Sequence, residues 1–167
     1  MNNNIPFDFS TYLEQLTKQN KLCKNNNFIF CTASGINYLE GILENFRKSK
    51  AFICCSDVTE GGTSFGPSNW YNKRVLTAFI LHRFRQGNTT DYNAKLKLCR
   101  EIYTQFMSKM LKDEDDNIAN MDYLDTHNVI WRELGGTFLN GCTGLYFMIS
   151  LNEPVNLAYD EQEWTTE

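Results

Sequence analysis

Val75-Leu76-Thr77-Ala78-Phe79-Ile80-Leu81-His82-Arg83-Phe84 is followed, after Gln86-Gly87-Asn88, by a run in which Tyr92, Leu96, Cys99, Tyr103, Phe106 and Met110 recur at alternating steps of four and three. The first stretch is rich in β-branched and aromatic residues and is bounded by turn formers, which predicts a long strand. The second places its apolar residues on one stripe of a helix capped by Thr89, Thr90 or Asp91 and reaching about Leu111. A one-faced helix entered directly from a strand needs a sheet to pack on.

Downstream, Asp113-Glu114-Asp115-Asp116-Asn117 puts four acids where the helix dipole is negative, so this run is expected to end the helix as a solvated loop. Two strands follow, over residues 128–134 and 143–151, joined through Gly135-Gly136 and Gly141. In the second, Leu145, Phe147, Ile149 and Leu151 alternate with Tyr146, Met148 and Ser150, and Pro154 ends the pairing. Upstream, residues 57–71 contain Gly61, Gly62, Gly66 and Pro67 and are expected to form a long exposed loop or the splayed tip of a hairpin. Ala51-Phe52-Ile53-Cys54-Cys55 and Phe28-Ile29-Phe30-Cys31 read as short strands. Ser34 opens a predicted helix with Ile36, Leu39, Ile42, Leu43 and Phe46 on one face. Asp8 or Ser10 caps a first helix running to about Leu22, and Asn25-Asn26-Asn27 breaks it. Hairpins outnumber βαβ units, so the expected fold is α+β: a mixed or mainly antiparallel sheet with helices packed on it, in the order helix-strand-helix-strand-strand-helix-strand-strand. No linker or repeat divides the 167 residues, and one domain with an acidic tail over 152–167 is expected.

Composition bounds the function. Apolar residues make up 42% and charged residues 22%, ordinary for a globular chain that needs no metal or disulfide staple. A net charge of −4 disfavours general binding to a phosphate backbone. Neither a basic segment nor an apolar one follows Met1-Asn2-Asn3-Asn4-Ile5-Pro6, and no apolar run nears the ~20 residues of a membrane span, so a soluble protein of the cytoplasm is expected, with no membrane partner. The six cysteines form no CxxC, and four lie within apolar runs, which predicts buried, reduced thiols.

His82 shares a strand face with Ile80 and Phe84 and reads as a tolerated sheet histidine; His127, beside Asp125 and Asn128, has no local nucleophile signature around it. Cys54-Cys55 would point to opposite faces of a strand and so make no zinc site. Gly61 to Gly66 has P-loop spacing, but Pro67 stands where the lysine belongs. The basic residues Lys73, Arg74, Arg83 and Arg85 read as the polar face of a strand, with Glu133 on a neighbouring strand as their counter-charge. The acid runs lack both the burial of catalytic carboxylates and EF-hand spacing. These readings give no catalytic residue, metal or cofactor. Aromatics are plentiful, at 14%, and those in polar surroundings, Phe65, Trp70, Tyr71, Tyr159 and Trp164, are the candidate protein-interface residues.

The segment order from the long strand onward resembles the tail-terminator and tail-completion (head–tail joining) proteins of tailed bacteriophages. The residues carrying the likeness are the strand from Val75 to Phe84, the helix opened by Asp91-Tyr92 and reaching Leu111, and the last strand from Thr143 to Leu151; an N-terminal helix from Phe9 also fits. The helix–strand unit from Ile36 to Cys55 is additional to the simplest version. The resemblance implies a non-enzymatic virion subunit that forms a homo-oligomeric ring and grips other structural proteins through exposed loops and termini, here residues 57–71 and the tail. DNA would pass through the lumen without specific binding. The second expectation is a ligand- or protein-binding α+β module, dimeric through its aromatic face; the third is an enzyme with an unfamiliar Cys/His arrangement.

Overall fold

A computed structural model describes residues 7–34, 49–56, 58–118, 121–135 and 141–165. Two helices open it, α1 (Phe9–Gln19) and α2 (Lys21–Asn25), followed by the strands β1 (Phe28–Ala33), β2 (Ala51–Ser56), β3 (Glu60–Phe65) and β4 (Trp70–Arg83). The long helix α3 (Thr89–Asp115) then leads through a 3-10 turn at Met121–Tyr123 to β5 (Ile130–Leu134) and β6 (Cys142–Pro154), with a last 3-10 turn at Glu161–Glu163. The strands form one mixed sheet in the order β1-β2-β4-β6-β5, with β3 also on β4. Only β1 and β2 pair in parallel among the described strands; every other pairing is antiparallel. The protein is α+β. The helix expected over residues 36–46 lies outside the described residues.

The core follows the alternation of the strands. Ile53, Leu76, Ala78, Ile80, Leu145, Phe147, Ile149 and Leu151 point to one face and meet Leu13, Leu16, Cys99, Ile102, Phe106 and Met110 from the helices. On this face α3 lies over β4 and β6, and α1 over β1 and β2. Phe147 is in edge contact with Phe9 and also touches Tyr103, joining both helices to the sheet. A smaller cluster, Cys31, Ala33, Phe52, Cys54, Phe79, Leu81, Leu134 and Cys142, occupies the opposite face.

Three expectations change, and an alternative left open is decided. The first helix stops at Gln19 because Asn20 leaves helical geometry and its side chain accepts the Cys23 N–H, capping α2. The long helix is capped one residue earlier than expected, by Asn88, whose side chain accepts the Asp91 N–H. Its other end runs through the acid run to Asp115. Lys109 and Lys112 pair with Asp113 and Asp116 one turn on, and the Tyr12 hydroxyl donates to buried Asp113 at 2.7 Å. Those cations and that donor offset the dipole. Of the two forms expected for the glycine-rich stretch, residues 58–71 take the hairpin, and it is paired. β3 runs along β4 from Glu60↔Val75 to Phe65↔Trp70, and the Gly66 N–H donates to the Asn69 carbonyl at 2.8 Å around Pro67-Ser68. Glycine and serine weaken local strand preference, but β4 is already fixed by β6 and supplies the ladder.

Candidate protein-interaction surface

The strands β3 and β4 continue beyond the helical layer as an arm. No residue of β3 is buried, and none of β4 before Leu76. Between the pairs Cys55↔Ala78 and Glu60↔Val75 the register shifts by two residues, so β2 and β3 share one side of β4 in sequence. On the other side β6 accompanies β4 out to Tyr71↔Pro154. The Arg74 guanidinium bonds the Glu153 carboxylate at 2.8 Å at the base of the arm. At its end the Val155 N–H donates to the Trp70 carbonyl at 3.0 Å, holding the start of the C-terminal segment against the tip.

Four of the five candidate residues form two exposed aromatic pairs at this end. Phe65 and Trp70 face each other across the ladder with ring centroids 5.3 Å apart, and are 65% and 44% exposed. Tyr159 and Trp164 stack across the last 3-10 turn at 6.1 Å, and are 72% and 64% exposed. Asp160 caps that turn through the Gln162 N–H. Tyr71, next in the strand after Trp70, points to the other side of the arm, where a side chain on Gly66 would meet its ring. It is half-buried and belongs to neither pair. A cleft of about 540 Å³ lies between the arm and the segment that follows it, lined by Asn69, Trp70, Pro154, Val155, Leu157 and their neighbours.

A second apolar area lies at the opposite edge of the sheet. Ile130 and Trp131 of edge strand β5 are exposed, and Trp131 touches Tyr103 of α3. Tyr103, Met107 and Leu111 line a shallow cleft of about 640 Å³ beside it. Neither Ile130 nor Trp131 was singled out by sequence, because alternation does not say whether a strand lies at an edge.

The remaining titratable groups are placed as follows. His82 is buried with Phe28 edge-on to it, and its Nδ1 donates to the Arg83 carbonyl at 2.6 Å. Burial holds its pKa below the ordinary value. His127 is exposed in a turn, with Nε2 3.7 Å from the Glu114 carboxylate, whose other oxygen accepts from Thr126. Glu133 does not serve the basic residues of β4, since β6 lies between the strands; it takes a two-point bond from Arg100 of α3, at 2.6 and 2.9 Å, which depresses its carboxyl pKa. Arg83 instead lies over the Phe52 ring and bonds the Ser49 carbonyl. All six cysteines are buried, and none is in a disulfide. Among the described residues no three of His, Cys, Asp and Glu cluster as metal ligands, and no helix is long and apolar enough to cross a membrane. No protein-family model, curated protein or solved structure matches the chain.

Proposed function

We propose that this chain is a non-enzymatic structural subunit that assembles with copies of itself and with other structural proteins through the aromatic end of its sheet. The observation carrying this reading is the pair of solvent-facing aromatic contacts, Phe65–Trp70 and Tyr159–Trp164, borne by two segments that leave the sheet at the same end. Large rigid aromatics bury much area at little entropic cost, and Trp and Tyr dominate the energetics of interfaces. A ladder-supported arm presents them in one geometry, which lowers the ordering cost of docking. Together with the segment order from β4 to β6, the reading extends to a ring-forming subunit of the phage tail-terminator or tail-completion kind.

The apolar strip of Tyr103, Met107, Leu111 and Trp131 favours a second reading, a ligand- or protein-binding module that dimerises along β5 and α3. Size-exclusion chromatography with light scattering separates the two. A closed assembly of many subunits that dissociates in Trp70→Ala and Trp164→Ala supports the first. A dimer that dissociates only in Trp131→Ala and Leu111→Ala supports the second and overturns the first.

A further inference from the structure

The thiols divide between the faces of the sheet: Cys23, Cys55 and Cys99 lie in the helix-covered core, and Cys31, Cys54 and Cys142 in the smaller cluster opposite. Two of the latter are set together by register. β1 runs parallel to β2, and Cys31 and Cys54 are direct partners in that pairing. Partners on adjacent strands project to the same face with their backbones roughly 4.8 Å apart, within the Cα separation of about 4.4–6.8 Å that a disulfide requires. The two thiols are hydrogen-bonded to each other, and Cys31 Sγ also approaches the Ile53 carbonyl at 3.7 Å. Cys54 and its chain neighbour Cys55, by contrast, point into opposite cores.

The thiols also differ in how readily they ionise. Burial pushes the thiols of Cys23 and Cys99 up to about 12 and raises that of Cys142. The hydrogen bond from Cys54 holds Cys31 below its ordinary value, which favours the thiolate there. Cys31 is 9% exposed, on an outer strand of the sheet, whereas Cys54 is fully buried beside it. The arrangement therefore has the more readily ionised thiol on the outer strand and a second thiol beside it that can resolve a sulfenic acid.

We propose that Cys31 and Cys54 form a dithiol modification site that a hydroperoxide converts into an intrachain disulfide. The Cys31 thiolate attacks the hydroperoxide, the O–O bond breaks, and the departing oxygen takes up a proton as an alcohol or water. Cys31 is left as a sulfenic acid. Cys54 then gives up its proton and attacks the sulfenic sulfur; the S–S bond forms, the S–O bond breaks, and hydroxide leaves with that proton as water. Two thiols are oxidised by two electrons and one peroxide is reduced. The bond ties outer strand β1 to β2.

The test uses the full chain, reduced, freed of reductant, treated with hydrogen peroxide and then labelled with N-ethylmaleimide in denaturant. Treated protein is expected to take up two labels fewer than the six of the untreated protein, to have lost about 2 Da before labelling, and to yield one cross-linked peptide joining Cys31 to Cys54. In Cys54→Ala the bridge is absent and Cys31 reacts with dimedone, a sulfenic-acid trap. Six labels after a treatment that oxidises added glutathione, a bridge between any other pair, or covalent dimers on a non-reducing gel each overturn the proposal.

Discussion

The imidazole of His82 lies inside the helix-covered face, with Phe28 against its ring and its Nδ1 proton committed to the Arg83 carbonyl. Burial is the main cause of its lowered pKa; nearby Lys95 and Lys50 act in the same direction, and the Arg83 bond and Asp91 oppose them. A histidine that is harder to protonate when folded takes up protons preferentially in the unfolded chain. The stability it contributes is therefore complete above its ordinary value of 6.5 and is lost as pH falls through the lower folded value. Urea unfolding of the wild type is expected to show a midpoint that declines as pH is lowered from 7.5 to about 5.5, a window above the ordinary carboxylate range. In His82→Gln that decline flattens, while in His127→Gln it persists. A decline that survives both substitutions assigns the titration to other groups.

At the level of elements, β6 is the strand on which the sheet depends, since it pairs β4 over its whole length and β5 on its other side. Within it Gly144 has φ +146 and opposes both Leu81 and Leu134. A Cβ built there would lie 1.9 Å from the Ile80 carbonyl oxygen, a backbone atom with no freedom to move aside. Gly144→Ala is expected to cost roughly 3 kcal/mol or more, from strain and overpacking together. Gly62→Ala, on the exposed arm where a Cβ meets nothing, is expected to be neutral or stabilising by about 0.5 kcal/mol. Chemical denaturation of the pair measures the contrast, and equal midpoints would remove this role from Gly144. The two glycines also show what was legible in the sequence. The strands around Ile80 and Phe147 and the stripe of α3 could be read because burial demands an apolar period. For β3 a hairpin could be read only as an alternative to a loop, because its ladder is imposed by β4 and Gly-Gly-Thr-Ser has little strand preference of its own. The continuation of α3 to Asp115 was hidden for a similar reason, since the donor that accepts Asp113 into the core is Tyr12, a residue distant in the chain. Of the candidate surface, exposed aromatics in polar surroundings were readable one at a time. That Phe65 meets Trp70, and that Tyr71 faces away from both, depends on register.

At the scale of the whole molecule, the features that hold the fold and those proposed for partner contact are spatially separate. The apolar clusters end near Leu76 on β4 and Leu151 on β6, and the arm and the segment after Pro154 contribute no residue to either. Surface substitutions away from a core usually change stability by no more than about 0.5 kcal/mol. Truncating an interface anchor of the Trp or Tyr kind commonly costs about 2 kcal/mol of binding, roughly a thirtyfold change in Kd. The double variant Phe65→Ala, Trp70→Ala and a chain ending at Val155 are thus expected to unfold within about 0.5 kcal/mol of the wild type. In sedimentation velocity over a range of concentrations, the same two proteins are expected to shift association upward in concentration by a factor of ten or more. The Val155 terminus keeps the amide that bonds Trp70, so the tip retains its contact with β6 in the truncated chain. Loss of stability in step with loss of association would make the arm part of the folding unit. Intact association in both proteins would move the docking surface to β5 and α3, where Trp131 and Leu111 are the residues to replace next.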